Sequence, residues 1–336
     1  MSSLLELQNL KVEYPIGVGS VQAVDGVDLR LEAGEICVVV GESGSGKSSL
    51  GLTVAGLIED SNGRITDGSV RFGGVELVGL SPREMRNYRG QRIGMIFQNA
   101  RASLNPVRTI GSQLAETLQS AGSRLTRAEV SQRAVELFEL VGIPDPLARL
   151  DAYPHQLSGG MCQRIMIALA IAQEPRLLIA DEPTSALDVT VKVQILQLLK
   201  KLNRDLGMAM LLITHDFGVA RALADTIAVV YAGQIVERGP AAQVLESPQM
   251  PYTQALLASI PHLRGQATDR LPAIAGRPPS LVNPPHGCRF VARCAHVEDV
   301  CASPAELRLV SPQHAARCHF PHLPMFRPSQ ENGGQR

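Results

Sequence analysis

Neither sign of charge dominates this chain of 336 residues: Lys plus Arg and Asp plus Glu both number 32. That balance removes the basic footprint expected of a protein held to nucleic acid or to an anionic membrane by charge alone. Long apolar runs are missing as well. Those around Val38, Leu178, Leu212 and Val229 are short and broken by Gly or charged residues, whereas a spanning helix needs about 20 apolar residues in succession. The opening Met1-Ser2-Ser3-Leu4-Leu5-Glu6 has no basic head followed by a long apolar core, so no secretory signal is expected and a cytosolic setting is. In that setting the six cysteines, four of them within the last 49 residues, are expected as thiols or metal ligands rather than disulfides. At about 100 to 200 residues per domain the length allows one large domain with appendages.

What the chain does hold is Gly41-Glu42-Ser43-Gly44-Ser45-Gly46-Lys47-Ser48, placed between the apolar run Ile36-Cys37-Val38-Val39-Val40 and Ser49-Leu50-Gly51-Leu52. Strand, loop and helix in that order suit a polyphosphate. Glycines let backbone N–H groups turn inward, and the helix that follows presents about half a positive charge at its N-terminus. Lys47 can then reach the β and γ phosphates, and Ser48 can hold Mg²⁺.

Upstream, turn signals at Pro15, Gly17, Gly19, Gly26 and Gly34 divide residues 4–40 into several strands. Tyr14 among them reads, on spacing alone, as an ordinary strand aromatic, although a ring just before a phosphate loop could stack on adenine. Residues 63–80 predict a hairpin, and Arg92 to Phe97 a short strand ending at Gln98, an amide that could touch a metal or an attacking water. Residues 107–175 turn helical. There Thr126 and Glu129 predict a capping box ahead of Val130, Ala134, Val135, Leu137, Phe138 and Val141, with Gly142 and Pro144 ending the helix. Leu157-Ser158-Gly159-Gly160-Met161 is a second candidate phosphate cradle, a hydroxyl and two glycines opening a helix. Leu177-Leu178-Ile179-Ala180-Asp181-Glu182 reads as a buried strand ending in two carboxylates. In phosphate-loop ATPases an Asp at this place holds the Mg²⁺ shell, and the adjacent Glu accepts a proton from the attacking water. A helix from about Asp188 turns Val191, Ile195, Leu198, Leu199, Leu202 and Leu206 inward and closes at Gly207. Met210 to Thr214 then forms another buried strand with His215 at its end, where parallel α/β sheets place their ligands.

Together these stretches resemble the nucleotide-binding subunit of an ATP-binding cassette (ABC) transporter over roughly residues 4–240. Gly41 to Ser48 is similar to Walker A, Gln98 to the Q-loop, Leu157 to Met161 to the signature motif, and Leu177 to Glu182 to Walker B. Ser185-Ala186-Leu187-Asp188 resembles the D-loop, His215 the switch histidine and Tyr14 the adenine-stacking aromatic. The resemblance implies an α/β fold, a P-loop nucleotide-binding domain with a RecA-like core, an antiparallel β subdomain and a helical subdomain at about 99–175. It implies ATP held by Tyr14, Gly41, Ser43, Gly44, Ser45, Gly46, Lys47, Ser48 and Ser49, with Mg²⁺ at Ser48, Gln98 and Asp181. Glu182, His215 and Gln98 would be catalytic. Ser158, Gly159 and Gly160 would serve the ATP of a partner subunit, because two such domains meet head to tail, and Asp188 would belong to the D-loop.

Pro154 to Met161 and Ala180 to Thr190 are similar to the dipeptide and oligopeptide importer branch. Pro251 to Leu257 and Pro285 to Cys294 resemble that branch's C-terminal extension. Membership implies a second, different cassette subunit, two integral membrane permease subunits, an external peptide-binding protein, no nucleic acid, and a peripheral place on the cytoplasmic face of the cell membrane. The expected division is a cassette at 1–240, a linker and extended arm at 241–287 and a Cys-rich extension at 288–336.

In the extension Cys288, Cys294, Cys301 and Cys318 stand at C-x5-C-x6-C-x16-C, a spacing that admits Zn²⁺ or an iron-sulfur cluster. The branch it resembles carries a [4Fe-4S] cluster on this pattern, with zinc as the alternative. Two other readings compete with the importer: a soluble cassette ATPase acting on DNA or ribosomes, and a cluster-bearing sensor module. Relatives of the first kind carry two cassettes or a long coiled-coil insertion, and this chain shows neither.

Overall fold

The computed structural model describes residues 3–120, 125–185, 187–260 and 274–321. Residues 1 and 2, 121–124 of the expected helical subdomain, Ala186 of the expected D-loop, 261–273 of the expected arm and 322–336 of the extension lie outside the described residues.

Three strands open the chain, β1 (Leu5–Pro15), β2 (Ser20–Leu31) and β3 (Ile36–Val40), and a loop then enters α1 (Lys47–Val54). The expected hairpin follows as β4 (Arg64–Phe72) and β5 (Val75–Glu76), then α2 (Pro82–Met85) and β6 (Ile93–Ile96). The helical region comprises α3 (Ala100–Ser103), α4 (Ile110–Ser120), α5 (Arg127–Leu140), α6 (Pro146–Leu150) and α7 (Gly159–Ile171). Strand and helix next alternate through β7 (Leu177–Asp181), α8 (Val189–Leu206), β8 (Ala209–Thr214), α9 (Phe217–Leu223), β9 (Thr226–Tyr231) and β10 (Gln234–Pro240). Two helices, α10 (Ala241–Glu246) and α11 (Pro251–Ala258), and two strands, β11 (Arg308–Ser311) and β12 (His314–Ala316), end the described chain.

Two sheets carry the architecture. One is antiparallel, in the order β2-β1-β4-β5; the other has eight strands in the order β11-β12-β10-β9-β3-β8-β7-β6. Every residue of β3, β7 and β8 is buried, the mark of parallel strands covered on both faces. Their period of two sorts the side chains cleanly. Val38, Leu178, Met210 and Leu212 face one core with Leu114, Phe138 and Ile165 of the helical region. Cys37, Val39, Ile179, Leu211 and Ile213 face the other, with Leu5 and Val12 of β1 and Leu50 of α1. The parallel strands all end on one side, and that edge receives the polar residues described below.

The helix signals hold. Thr126 caps α5 through a full capping box, its Oγ1 accepting from Glu129 N at 3.3 Å while Glu129 accepts from Thr126 N at 2.7 Å. Gly207 ends α8 with φ +63°. Leu206, expected to face inward, is instead 39 % exposed as the last residue of α8, directly before the Gly207 cap.

The region after residue 240 packs onto the sheet. β12 pairs antiparallel with β10 through Glu237↔Ala316 and Arg238↔Ala315. Glu237 is fully buried and accepts from Gln249 N at 2.6 Å and Met250 N at 3.0 Å, and its carboxylate meets His314 Nε2 at 2.8 Å. The first half of 241–287 contributes α10 and α11, with Tyr252 fully buried. Arg289 reaches back to Asp25 of β2 in an ion pair.

Candidate functional site

β3 delivers the chain to its buried C-terminal end, and the phosphate loop must turn there against neighbouring strands. A Cβ built on Gly41 would lie 2.1 Å from Val230 O, and one on Gly46 would lie 1.9 Å from Ala23 O. Gly46 also has φ +101°, so it is glycine for two reasons at once. Lys47 is 6 % exposed and donates from Nζ to Gly41 O at 2.9 Å and Glu42 O at 2.8 Å. Burial lowers its pKa, opposed by Glu182, Asp181 and Glu42.

Ser48 at the start of α1 donates from Oγ to Asp181 Oδ1 at 3.1 Å. Asp181 closes β7 and is 8 % exposed, and burial pushes its carboxyl upward against the lowering influence of Ser48 and Lys47. Hydroxyl and carboxylate side by side form an oxygen donor set of the kind that suits Mg²⁺. Ser45 adds an independent sign of a ligand: its Oγ is buried without a hydrogen-bond partner among the described residues. Ser43 and Gly44 face solvent.

Glu182 follows with φ +49°, a conformation that costs a non-glycine residue about 1–3 kcal/mol and survives only where its surroundings fix it. Its N–H donates to Ile213 O at 2.9 Å, and its Oε1 lies 2.7 Å from His215 Nδ1. The carboxylate is largely covered, while the imidazole is more than half exposed. Tyr14 from β1 places its hydroxyl 3.1 Å from Ser49 Oγ and borders a cavity of about 250 Å³ with Gly44, Gly46, Lys47 and Ser48. Leu281 also lines that cavity, and no periodicity in its own segment pointed to it.

Not every expected residue joins this group. Gln98 sits exposed just beyond β6, and its side chain makes no hydrogen bond to Ser48, Asp181 or any other described residue. It lies two residues past the end of β6 and two before α3, exposed to solvent. Ser158 caps α7, accepting from Met161 N at 3.3 Å, and Gly159 has open space around it. Asp188 caps α8, accepting from Val191 N at 2.9 Å. Neither helix start borders the cavity beside Lys47.

The tail supplies contacts that the sequence did not announce. Arg293 holds Glu42 with two bonds, Nη1 to Oε2 at 2.7 Å and Nη2 to Oε1 at 2.9 Å, and Tyr252 Oη accepts from Glu42 N at 3.0 Å. Both residues lie in stretches already singled out, Pro251 to Leu257 and Pro285 to Cys294, but nothing in a one-dimensional pattern aims them at residue 42.

Cys288, Cys294, Cys301 and Cys318 gather closely enough that the first interacts electrostatically with the other three. Cys294 Sγ accepts from His296 N at 3.3 Å and Cys318 Sγ from Phe320 N at 3.4 Å, and the backbone of Phe290 serves Cys288 in the same way. Burial raises the pKa of Cys288, Cys294 and Cys318. Among the described residues, no three or more of His, Cys, Asp and Glu stand in an arrangement that could hold a metal ion. Among them also, no helix is long and apolar enough to cross a membrane.

Comparison with known proteins places this geometry. A family model described as ABC transporter matches residues 24–185, and one described as oligopeptide/dipeptide transporter, C-terminal region, matches 236–301. The oligopeptide transport ATP-binding protein OppD of Bacillus subtilis (strain 168) is 46 % identical over 296 residues, covering 88 % of this chain and 82 % of that one. The dipeptide transport ATP-binding protein DppD of Escherichia coli (strain K12) is 43 % identical over 330 residues, 97 % of this chain and 99 % of its own. Among solved structures, the ATP-binding cassette MJ0796, in a dimeric post-hydrolysis state bound to ADP and Pi, superposes with a TM-score of 0.64 at 30 % identity. It covers 70 % of this chain and 98 % of that one.

Proposed function

The chain belongs to the ABC transporter family of ATP-binding proteins, in its oligopeptide and dipeptide branch, and from that premise we propose that it is the ATPase subunit of an importer of di- or oligopeptides. The observation that carries the reading is the single edge at which Lys47, Ser48, Asp181, Glu182 and His215 meet, with Ser48 bonded to Asp181 and Glu182 bonded to His215. The relatives named above are transport proteins, which leaves the DNA- or ribosome-acting and sensor readings without support.

Each residue then has a task. Lys47 and the loop amides bind the β and γ phosphates, and Tyr14 lies under the adenine. Glu182 accepts the proton of the attacking water, and His215, hydrogen-bonded to that carboxylate, orients the γ-phosphate. Ser48 and Asp181, with Gln98 as the third expected ligand, would hold Mg²⁺, which would supply positive charge against the phosphoryl oxygens. Ser158, Gly159 and Gly160 serve the nucleotide of a second cassette subunit, so one chain alone is incomplete. That partner is a different subunit, and the pair sits beneath two permease subunits on the cytoplasmic face, fed by an external peptide-binding protein.

Reconstitution with the cognate permease and partner subunits in vesicles tests this. ATP-dependent uptake of labelled peptide, lost in Lys47→Ala, is the expected result. Recovery with nucleic acid in place of membrane proteins after detergent extraction would overturn it.

In the same reading Cys288, Cys294, Cys301 and Cys318 would be the ligands of a [4Fe-4S] cluster, with zinc as the alternative, while as they stand the described residues form no arrangement that could hold a metal ion. Support comes from their mutual proximity and from the N–H groups directed at three of the sulfurs, since such hydrogen bonds stabilise thiolate charge and tune a cluster. The cluster would supply folding free energy that the arm's small apolar surface does not. Protein purified anaerobically should contain iron and sulfide at about four each per chain. Stoichiometric zinc without sulfide would assign the site to zinc instead.

A further inference from the structure

We propose that Arg293 and Tyr252 are positioning residues for the phosphate loop, acting through Glu42 to hold its backbone in the shape that receives nucleotide. This rests on the ATPase reading and goes beyond it, because neither residue belongs to any motif of the cassette.

Glu42 is the second residue of the loop, and all three of its polar groups are held. Its carbonyl accepts from Lys47 Nζ, its N–H donates to Tyr252 Oη, and its carboxylate takes the two-pronged bond from Arg293. The three partners come from α1, from α11 and from a residue 251 positions along the chain. A paired fork of this kind fixes direction as well as distance. It is also sheltered, since the Arg293 side chain is only 3 % exposed.

Arg293 is itself fixed. Its Nε donates to Ala275 O at 3.0 Å, and its guanidinium carbon lies 5.8 Å from the Tyr231 ring centroid and 5.9 Å from that of Phe290. Tyr231, Tyr252 and Phe290 pack on one another with centroids 4.4 to 5.4 Å apart. The clamp therefore stands on a rigid bed made partly by β9 of the central sheet and partly by the tail. A loop whose second residue is gripped at every polar group keeps its amides converged before nucleotide arrives, so the ordering cost on binding is small. Loosening the grip should act on nucleotide affinity and leave the hydrolytic step alone.

The test measures binding of a fluorescent ATP analogue, and KM and kcat for ATP, in the assembled complex. Lys47→Ala is the reference: if it binds like the wild type, the ATP-binding reading itself fails, separately from this proposal. Arg293→Ala and Glu42→Ala should each weaken binding about tenfold, the effect of losing one charged hydrogen-bonded pair, with kcat within about twofold. The double variant should be no weaker than either single one, because both remove the same interaction. Arg293→Lys, which keeps the charge but not the fork, should recover only part of the affinity. Tyr252→Phe should weaken binding by about threefold, the loss of one neutral hydrogen bond. Multiplied effects in the double variant, or wild-type affinity in Glu42→Ala, would show that Arg293 merely anchors the tail. Should the Arg293 variants fail to fold, Glu42→Gln decides, because it keeps the size of the side chain and an acceptor oxygen for Arg293 while removing the charge of the fork.

Discussion

Two helix starts in this protein carry glycines and a serine, and they differ in who demands the glycine. At the phosphate loop the chain itself does: a side chain on Gly46 would strike Ala23 O, and one on Gly41 would strike Val230 O. At the start of α7 a side chain on Gly159 would meet nothing within 4 Å. Gly160 needs room only against the side chain of Val191. The first cradle is thus shaped by its own fold, and it encloses a Ser45 hydroxyl that is buried without a hydrogen-bond partner among the described residues. The second is finished as a capped helix, Ser158 accepting from Met161 N. An unforced glycine at an exposed helix start is what a surface needs if another molecule is to approach its backbone closely. The physical lesson is that the fold forces glycine at the first helix start and leaves it unforced at the second.

Several substitutions can break or sharpen that contrast. The largest effect is expected from Glu182→Gln, which should bind ATP yet lose about 10² to 10⁴ in turnover. It is measured in the assembled complex with the partner's own site disabled, and wild-type turnover there would remove Glu182 from its role. Gly159→Ala should leave the melting temperature and single-chain nucleotide binding as they are, surface changes of this kind being worth about 0.5 kcal/mol or less. In the assembled pair it should cost about 10 to 10² in turnover through misplacement at the shared nucleotide. Equal turnover would mean that α7 faces no nucleotide.

Gly46→Ala should behave in the opposite sense, destabilising the chain by about 1–3 kcal/mol through overpacking against Ala23 and abolishing nucleotide binding in the single chain. Calorimetry together with the fluorescent analogue separates the two outcomes. The smallest effect concerns Arg101 on α3, whose Nη2 donates to Leu157 O at 2.6 Å, one residue before the Ser158 cap. Arg101→Ala should lower peptide transport several-fold, as loss of about 1–2 kcal/mol allows, while basal ATPase activity changes less. Equal loss of both would place Arg101 in hydrolysis rather than in coupling hydrolysis to transport.

The strand ends at Asp181 and Thr214 were readable because a fully buried parallel strand is an unbroken apolar run that must stop where polar residues begin. The capping box of α5 was readable because its two partners are three residues apart. Gln98 was readable as a strand end but not as a contact: its side chain points to solvent here, and a strand boundary does not fix a rotamer. The tail was the least legible part. Its cysteine spacing raised a metal site that the described residues do not form, and neither its β-pairing with β10 nor its buried Glu237 to His314 contact, 77 residues apart, is encoded in any local pattern.

By itself, then, the sequence determined everything that depends on near neighbours along the chain: the glycine loop and its helix, the order of the strands and their carboxylate ends, and the caps of α5 and α8. Backbone conformation and short-range hydrogen bonding act over a few residues, so these leave a local trace. Tertiary structure alone decided that Glu182 meets His215 across two strands, that Ser48 meets Asp181, and that Arg293 and Tyr252 close on Glu42 from the far end of the chain. Those meetings follow from which faces of the sheet had to be buried and from the path the chain takes to bury them, and apolar burial is roughly proportional to area and carries no direction. The pairing of distant polar groups is therefore fixed only once the whole core has closed.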